Sequence, residues 1–120
     1  MKWYDTSFTP TGCSRAIGGP FVTVAAGHIW SDVYSAASRK GLSVVGGYTG
    51  TVGIAGHISN GGHGKLSAKY GYAADMVAQI QLVTADGRII TANECQNQDY
   101  FWAMRGVSHS ACAIPERNSN

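Results

Sequence analysis

With 120 residues the chain has room for one domain at most, and its 44% hydrophobic content is too high for a disordered tail. Only 13% of the residues are charged, and the formal net charge of +2 is too weakly basic for a protein that binds nucleic acid by neutralising phosphates. The sequence contains no apolar run long enough to cross a bilayer and no signal-peptide core near Met1. These totals predict a domain with neither a nucleic-acid nor a membrane partner.

The first half of the chain predicts a β-α-β unit. Residues 21–26 (FVTVAA) are bounded by glycine and rich in β-branched side chains, which favours a strand. The next segment predicts a helix, because apolar residues recur at helical spacing, namely Trp30, Val33, Tyr34 and Ala37. Gly41 is suited to the position after the end of that helix. Residues 42–45 (LSVV) then predict a second strand.

The second half of the chain predicts a β-hairpin and a further helix. Residues 76–84 (MVAQIQLVT) alternate between two faces, and Asp86 with Gly87 makes a hairpin turn into residues 89–91. Residues 97–105 (NQDYFWAMR) predict a helix with an asparagine at its N-cap. The predicted fold class is therefore α+β, with small mixed sheets flanked by helices.

Half of the chain's 16 glycines lie within residues 46–64, in the segment GGYTGTVGIAGHISNGGHGKLSAKYG. The segment lacks a P-loop because Leu66 follows the Gly-Lys pair, and it lacks the GxGxxG fingerprint because Ser67 takes the third position. No carboxylate accompanies His57 and His63, so hydrogen bonds in a loop are favoured over metal ligation. Such a backbone can turn N–H groups towards an anion or pass close to a flat ring. A string of turns without any ligand is the alternative.

The cysteines give no motif. Cys13, Cys95 and Cys112 are widely spaced and odd in number, and none belongs to a C-x-x-C pair. This pattern predicts free thiols and no disulfide framework.

An ordered set of short motifs runs from about Val22 to Gly106. In chain order they are G-H-x-W, V-V-G-G, T-V-G-x-x-G-H, G-G-H-G, K-Y-G-x-x-x-D, V-x-x-x-G and D-x-F-W-A-x-R-G. This set resembles the FAD-binding domain of the vanillyl-alcohol-oxidase (PCMH) type. More closely, it resembles the fungal and plant FAD-linked oxidoreductases that are similar to berberine bridge enzyme.

The resemblance implies that FAD is the cofactor and that substrate gives a hydride to the flavin N5, with reoxidation by molecular oxygen. It implies that one set of residues lines the FAD pyrophosphate and ring: Gly46, Gly47, Thr51, Val52, Gly53, Gly56 and His57. It places a second set near the flavin edge: Gly61, Gly62, His63 and Gly64. A third set would brace the turn into the next strand: Tyr70, Gly71 and Asp75. It assigns no catalytic residue within this chain.

Two departures from the family pattern concern the covalent attachment of the flavin. Thr49 occupies the position of a cysteine that tethers the flavin in some members, so no cysteinyl–FAD bond is expected. The histidine tether belongs to an upstream R-S-G-G-H-S-type segment that this sequence does not contain. The expected division is an incomplete N-terminal lead-in (1–20), a partial FAD-binding domain (21–106) and a tail outside the family pattern (107–120). A small-molecule substrate is then expected only in a longer parent protein.

Two other hypotheses stay open. The first hypothesis is that the chain is a truncated or incorrectly spliced product without catalytic activity. The apolar face of Ile80 and Leu82 is then expected to lack partners. Alternatively it is a stand-alone anion- or nucleotide-binding module, an interpretation that depends only on the glycines and Lys65.

Overall fold

The computed structural model describes residues 1–106, which form three small antiparallel sheets and a set of short helices. The strands are β1 (Lys2–Tyr4), β2 (Ser7–Phe8), β3 (Ile17–Gly18), β4 (Phe21–Thr23), β5 (Ile80–Val83) and β6 (Ile89–Ala92). The helices are α1 (Trp30–Arg39), α2 (Ile54–Ser59), α3 (Ser67–Tyr70) and α4 (Gln98–Ala103), with a 3-10 turn at Ala73–Met76. Strand β1 pairs with β4, β2 with β3, and β5 with β6. The predicted α+β class is confirmed. The predicted tail at 107–120 lies outside the described residues.

Helix α1 forms where the sequence predicts it, and its buried face is the one that the periodicity marks. Trp30, Val33 and Ala37 are all buried, and the first two belong to a hydrophobic cluster with Ile54 of α2. The helix ends at a left-handed glycine, Gly41, with φ of 69°. The N–H of this glycine and that of the next residue turn back to carbonyls in the last turn of α1, which is the Schellman arrangement.

The predicted hairpin is also present. Gly87 has φ of 85°, and its N–H donates to the carbonyl of Thr84 across the turn between β5 and β6. Leu82 is fully buried against Phe101 and Met104, which α4 and the residue after it supply. The expectation that the Leu82 face lacks partners is therefore wrong, because α4 covers it within the same chain.

Several strand predictions are wrong or too long. Residues 42–45 form no strand within residues 1–106; Val44 and Val45 instead pack against the α1 cluster. The predicted strand at 76–84 is shortened to β5, since Met76 belongs to the 3-10 turn and residues 77–79 are in no regular element. β4 likewise stops at Thr23, and the lead-in at 1–20 contains three strands that the sequence did not predict. Short strands depend on tertiary pairing partners, which local patterns do not contain.

The prediction of free thiols is also wrong for two of the cysteines. Cys13 and Cys95 form a disulfide, with Cα atoms 5.4 Å apart across a sequence separation of 82 residues. The link joins the lead-in to the segment between β6 and α4. Among residues 1–106, no helix combines the length and the apolar character needed to cross a membrane.

Candidate functional site

An open groove of about 630 Å³ lies along the glycine-rich segment. It is lined by Val52, Gly53, Gly56, His57, Asn60, Gly62 and His63. Its volume is in the usual range for a small-molecule site. The lining contains no carboxylate, lysine or arginine side chain. An anion bound here would therefore meet mainly backbone groups, together with asparagine and histidine side chains, as the glycine content suggested.

The N-terminus of α1 fixes one wall of the groove. The N–H of Trp30 donates to the carbonyl of Val52 at 3.1 Å, and the N–H of Ser31 donates to that of Gly50 at 2.9 Å. Residues 50–52 thereby satisfy donors that the first turn of a helix leaves unpaired. A two-residue antiparallel bridge between Ile29 and Gly53 continues this contact to the start of α2. The backbone of this wall is held by the fold itself.

His57 is held by both of its ring nitrogens. The indole Nε1–H of the buried Trp30 donates to Nδ1 at 3.0 Å, and Nε2 lies 2.9 Å from the carbonyl oxygen of His63. An indole N–H can only donate and a carbonyl can only accept, so Nδ1 carries the lone pair and Nε2 carries the hydrogen. This histidine orients Trp30 and the loop at His63. Neither nitrogen is free to bind a metal or to take a proton from a substrate.

Three of the predicted glycines are buried behind the groove, where a side chain would be crowded or would overlap its neighbours. A Cβ on Gly46 would lie 2.5 Å from the ring of Trp30 and 2.5 Å from the hydroxyl of Tyr34. A Cβ on Gly47 would lie 3.2 Å from the same indole, and one on Gly64 would overlap the carbonyl oxygen of Gly46. Gly46 and Gly47 thus let their turn pack against α1, and Gly64 lets a second turn pack against the backbone of Gly46.

Tyr34 locks this packing with a hydrogen bond. Its hydroxyl donates to the carbonyl of Gly47 at 2.5 Å, and its ring stacks on that of Trp30 with centroids 5.6 Å apart. Burial raises the pKa of Tyr34 above its ordinary value because the phenolate would lose water. The phenol therefore stays protonated and keeps donating to the backbone.

Gly53 differs from the buried glycines, because neither its φ nor any neighbouring atom among residues 1–106 requires a glycine there. It lines the groove with an ordinary φ of −66°, and a Cβ on it would have no protein atom within 4 Å. Gly61 has equally open space but a φ of +98°, which explains the glycine by backbone conformation. Gly62 combines a φ of +77° with a Cβ position only 2.6 Å from that of Ala73. The open space at Gly53 fits a ligand that approaches the backbone closely.

His63 stands at the mouth of the groove between two exposed aromatic rings. Its ring centroid lies 5.6 Å from that of Tyr48 and 5.7 Å from that of Tyr72. The tyrosine side chains are 58% and 49% exposed. The neighbouring turn is braced by Asp75, whose carboxylate accepts from the N–H of Tyr72 at 2.8 Å. Of the expected bracing set, Tyr70 is exposed and makes no such hydrogen bond among the described residues.

Three polar residues of the segment differ in their position relative to the groove. Thr51 and Thr49 are exposed and lie outside the lining of the groove. Asn60 belongs to the lining but was missed by sequence reasoning; its amide donates to the carbonyl of Gly56 at 2.7 Å. Asparagine is common in turns, so its sequence position carried no distinguishing signal.

The histidine of the G-H-x-W motif contacts a carboxylate in the first turn of α1. The ring of His28 lies 3.2 Å from the carboxylate of Asp32, and the N–H of Ile29 also donates to that carboxylate. The hydrogen bond from His28, followed by that from Ile29, holds the pKa of Asp32 below its ordinary value. Within residues 1–106, no three His, Cys, Asp or Glu side chains are grouped so that they could hold a metal ion.

Comparison with known proteins identifies the family. The model of a FAD binding domain matches residues 17–93. A curated relative, aurantioclavine synthase cnsA from Penicillium expansum, is 48% identical over 113 residues, which are 92% of this chain and 24% of that enzyme. The chain spans about a quarter of the length of this enzyme and of another curated relative, the FAD-linked oxidoreductase phmC from Phaeosphaeria nodorum.

Solved structures agree with this result. The VAO-type flavoprotein MtVAO615 from Myceliophthora thermophila C1 superposes with a TM-score of 0.83 at 34% identity, covering 94% of this chain and 20% of that chain. Berberine bridge enzyme from Eschscholzia californica gives a TM-score of 0.67 at 37% identity, covering 74% of this chain and 19% of that chain. The chain belongs to the FAD-binding domain family of FAD-linked oxidoreductases. The resemblance seen in the sequence is confirmed, while the domain limits at residues 20 and 106 stay a prediction.

Proposed function

We propose that the groove along the glycine-rich segment binds part of FAD, and that the chain is the FAD-binding part of a longer flavin-dependent oxidoreductase. The observation that carries this proposal is the open space at Gly53, at the wall of a groove without charged side chains. A bound dinucleotide needs such a close approach to the backbone, and residues 1–106 offer no packing or conformational reason for a glycine at this position.

In this proposal the residues of the segment have two different roles. Those at the groove would contact the cofactor: Val52, Gly53, Gly56, His57, Gly62 and His63. The buried positions Gly46, Gly47 and Gly64 would act indirectly, by allowing the turns to pack on Trp30. Thr51 and Gly61 would be reached only by parts of the cofactor that extend beyond the groove.

When bound, FAD supplies hydride acceptance at N5 and subsequent reoxidation by oxygen. The role of this chain in the proposal is to hold and orient the cofactor. His57 is engaged at both nitrogens by Trp30 and the His63 carbonyl, so it positions the wall of the groove. A small-molecule substrate and the acid–base residues would belong to the longer protein.

The flavin would be held without a thioether bond at Thr49. A hydroxyl-bearing side chain replaces the thiol that this linkage requires, and the residue is exposed outside the groove lining. Digestion with trypsin separates residues 41–65 as one peptide, which makes the linkage directly testable by mass. The peptide is expected without any flavin mass.

Calorimetry with the purified chain tests the proposal. FAD is expected to bind at least tenfold more tightly than ADP or ATP, because contacts to the flavin half add to those of the diphosphate. Acid precipitation of the complex should leave colourless protein and a yellow supernatant. Equal affinities for the three ligands would favour a general nucleotide module, and no uptake of FAD would contradict the proposal.

A further inference from the structure

A buried asparagine brings the two linked cysteines to the same corner of the molecule. The side chain of Asn93 is fully buried and uses both ends of its amide. Its Oδ1 accepts from the N–H of Cys95 at 2.8 Å and from that of Gln96 at 3.0 Å. Its Nδ2 donates to the carbonyl of Thr11 at 2.8 Å and to the side chain of Gln79 at 3.0 Å. Non-covalent contacts thus already place the lead-in beside the segment of Cys95.

The lead-in approaches this corner closely through a tight turn. The N–H of Cys13 donates to the carbonyl of Pro10 at 3.0 Å, and Gly12 within that turn has φ of +81°. A Cβ on Gly12 would lie only 2.7 Å from the side-chain oxygen of Gln96. The Cα atoms of Cys13 and Cys95 are 5.4 Å apart, inside the range that a disulfide requires. Both the turn and the Asn93 contacts therefore present the two sulfur atoms to each other.

We propose that Cys13 and Cys95 are a maturation site, oxidised by thiol–disulfide exchange in an oxidising compartment through which the protein passes. In the balanced step, the thiolate of one cysteine attacks the disulfide of a protein or glutathione oxidant and releases one oxidant thiolate. The thiolate of the second cysteine then displaces the other. One S–S bond forms in the chain and one breaks in the oxidant, which takes two electrons, while the chain's two protons are released. Structural disulfides persist in secretory compartments and are rare in a reducing cytosol.

The proposal is independent of cofactor binding. The link joins the lead-in to the segment between β6 and α4, whereas the groove is lined by residues 52–63. Its role is to hold the lead-in in place by restricting the unfolded chain across a long loop. A reduced chain is expected to bind FAD at the same groove but to unfold at lower temperature.

Disulfide mapping of the whole 120-residue chain tests the proposal, because trypsin places each cysteine in a different peptide. Cys13 falls in 3–15, Cys95 in 89–105 and Cys112 in 106–117. The chain is produced once through the secretory lumen of yeast and once in a reducing bacterial cytosol, alkylated at harvest and digested without reductant. The expected result is a linked mass of 3–15 with 89–105 in the secreted protein and three alkylated peptides in the cytosolic one.

Other linkage patterns overturn the proposal. They are a pairing that involves 106–117, free thiols in the secreted chain, or the same link in both preparations. A thermal melt gives a second measurement that does not depend on the mapping. Cys13→Ser and Cys95→Ser remove the same link, so each is expected to lower the Tm of the secreted chain by the same amount, on the order of 10 °C. Unequal effects of the two substitutions, or no effect of either, would contradict the assignment.

Discussion

The indole Nε1–H of Trp30 donates a 3.0 Å hydrogen bond to Nδ1 of His57, and this contact joins α1 to α2 across the back of the groove. Trp30 is only 3% exposed, so its N–H has no access to water if the acceptor is removed. The wall of the groove and the hydrophobic cluster under it are therefore stabilised by the same pair of side chains.

Replacing His57 by phenylalanine is expected to destabilise the chain. The buried indole N–H loses its acceptor, at a cost of about 1–3 kcal/mol in the free energy of unfolding. His57→Gln is the matched control, because glutamine retains one acceptor and one donor. Urea denaturation followed by circular dichroism measures both variants without cofactor. A His57→Phe variant as stable as His57→Gln would show that the hydrogen bond contributes nothing.

Gly46→Ala is expected to destabilise the chain through overpacking. The added methyl group would lie 2.5 Å from Trp30 and the Tyr34 hydroxyl, and such insertions typically cost about 1–3 kcal/mol. Gly18→Ala is the control, since an added Cβ there has nothing within 4 Å and its strand position is exposed. The melting temperature of Gly46→Ala should therefore be lower than that of Gly18→Ala. Equal melting temperatures would mean that the α1 face relaxes to accept the methyl group.

Gly53→Ala is expected to weaken FAD binding while leaving the fold intact. Its Cβ meets no protein atom within 4 Å, so any loss of affinity has to come from the ligand side. A methyl group that displaces a tightly packed ligand costs about 1–3 kcal/mol, so affinity should fall about tenfold or more. Calorimetric titration of Gly53→Ala beside Gly18→Ala measures this effect. Unchanged affinity with an unchanged melting temperature would separate Gly53 from the cofactor site.

Asn93→Ala is expected to lower the free energy of unfolding by about 2–3 kcal/mol, because a fully buried polar network loses its central member. Gln98→Ala is the control, since it removes one exposed hydrogen bond to the Glu94 carbonyl. The comparison is made on the oxidised chain, with the Cys13–Cys95 link verified by mass. If the disulfide alone holds the lead-in, the two variants will denature at the same urea concentration.

The turn between β5 and β6 is expected to make the free energy of unfolding decrease at acid pH. A hydrogen bond from Thr84, and then one from Arg88, holds the pKa of Asp86 below its ordinary value. The unfolded chain therefore takes up the proton at higher pH than the folded one. The contribution is complete above the unfolded pKa and is lost as pH falls through the lowered folded pKa.

The variant Asp86→Asn tests whether the ionised carboxylate of Asp86 contributes to the free energy of unfolding. The difference in unfolding free energy between the wild type and this variant should shrink as pH falls from 7 towards 3. Urea denaturation at several pH values follows the difference directly. A constant difference over that interval would exclude a contribution from ionised Asp86.

The elements that the sequence determined by itself are those whose information is local. The spacing of Trp30, Val33 and Ala37, with Gly41 as the stop, predicts α1, and the Asp86-Gly87 turn predicts the β5–β6 hairpin. The ordered motifs resemble those of the FAD-binding family, and comparison with known relatives shows that the chain belongs to it. Local periodicity and turn chemistry act over a few residues, so one sequence suffices to read them.

Contacts between distant residues were decided only by the tertiary structure. It brings Cys13 and Cys95 together across 82 residues, leaves residues 42–45 without a strand partner among the described residues, and buries Leu82 under α4. The tertiary structure also distinguishes the roles of glycines that the sequence presents as equivalent. Gly46 is glycine because Trp30 and Tyr34 leave no room, whereas the space beside Gly53 is open. Glycine has no side chain that could contribute to a periodic pattern, so the sequence does not show why a given position is glycine. The reason lies in the atoms that the fold places around that position.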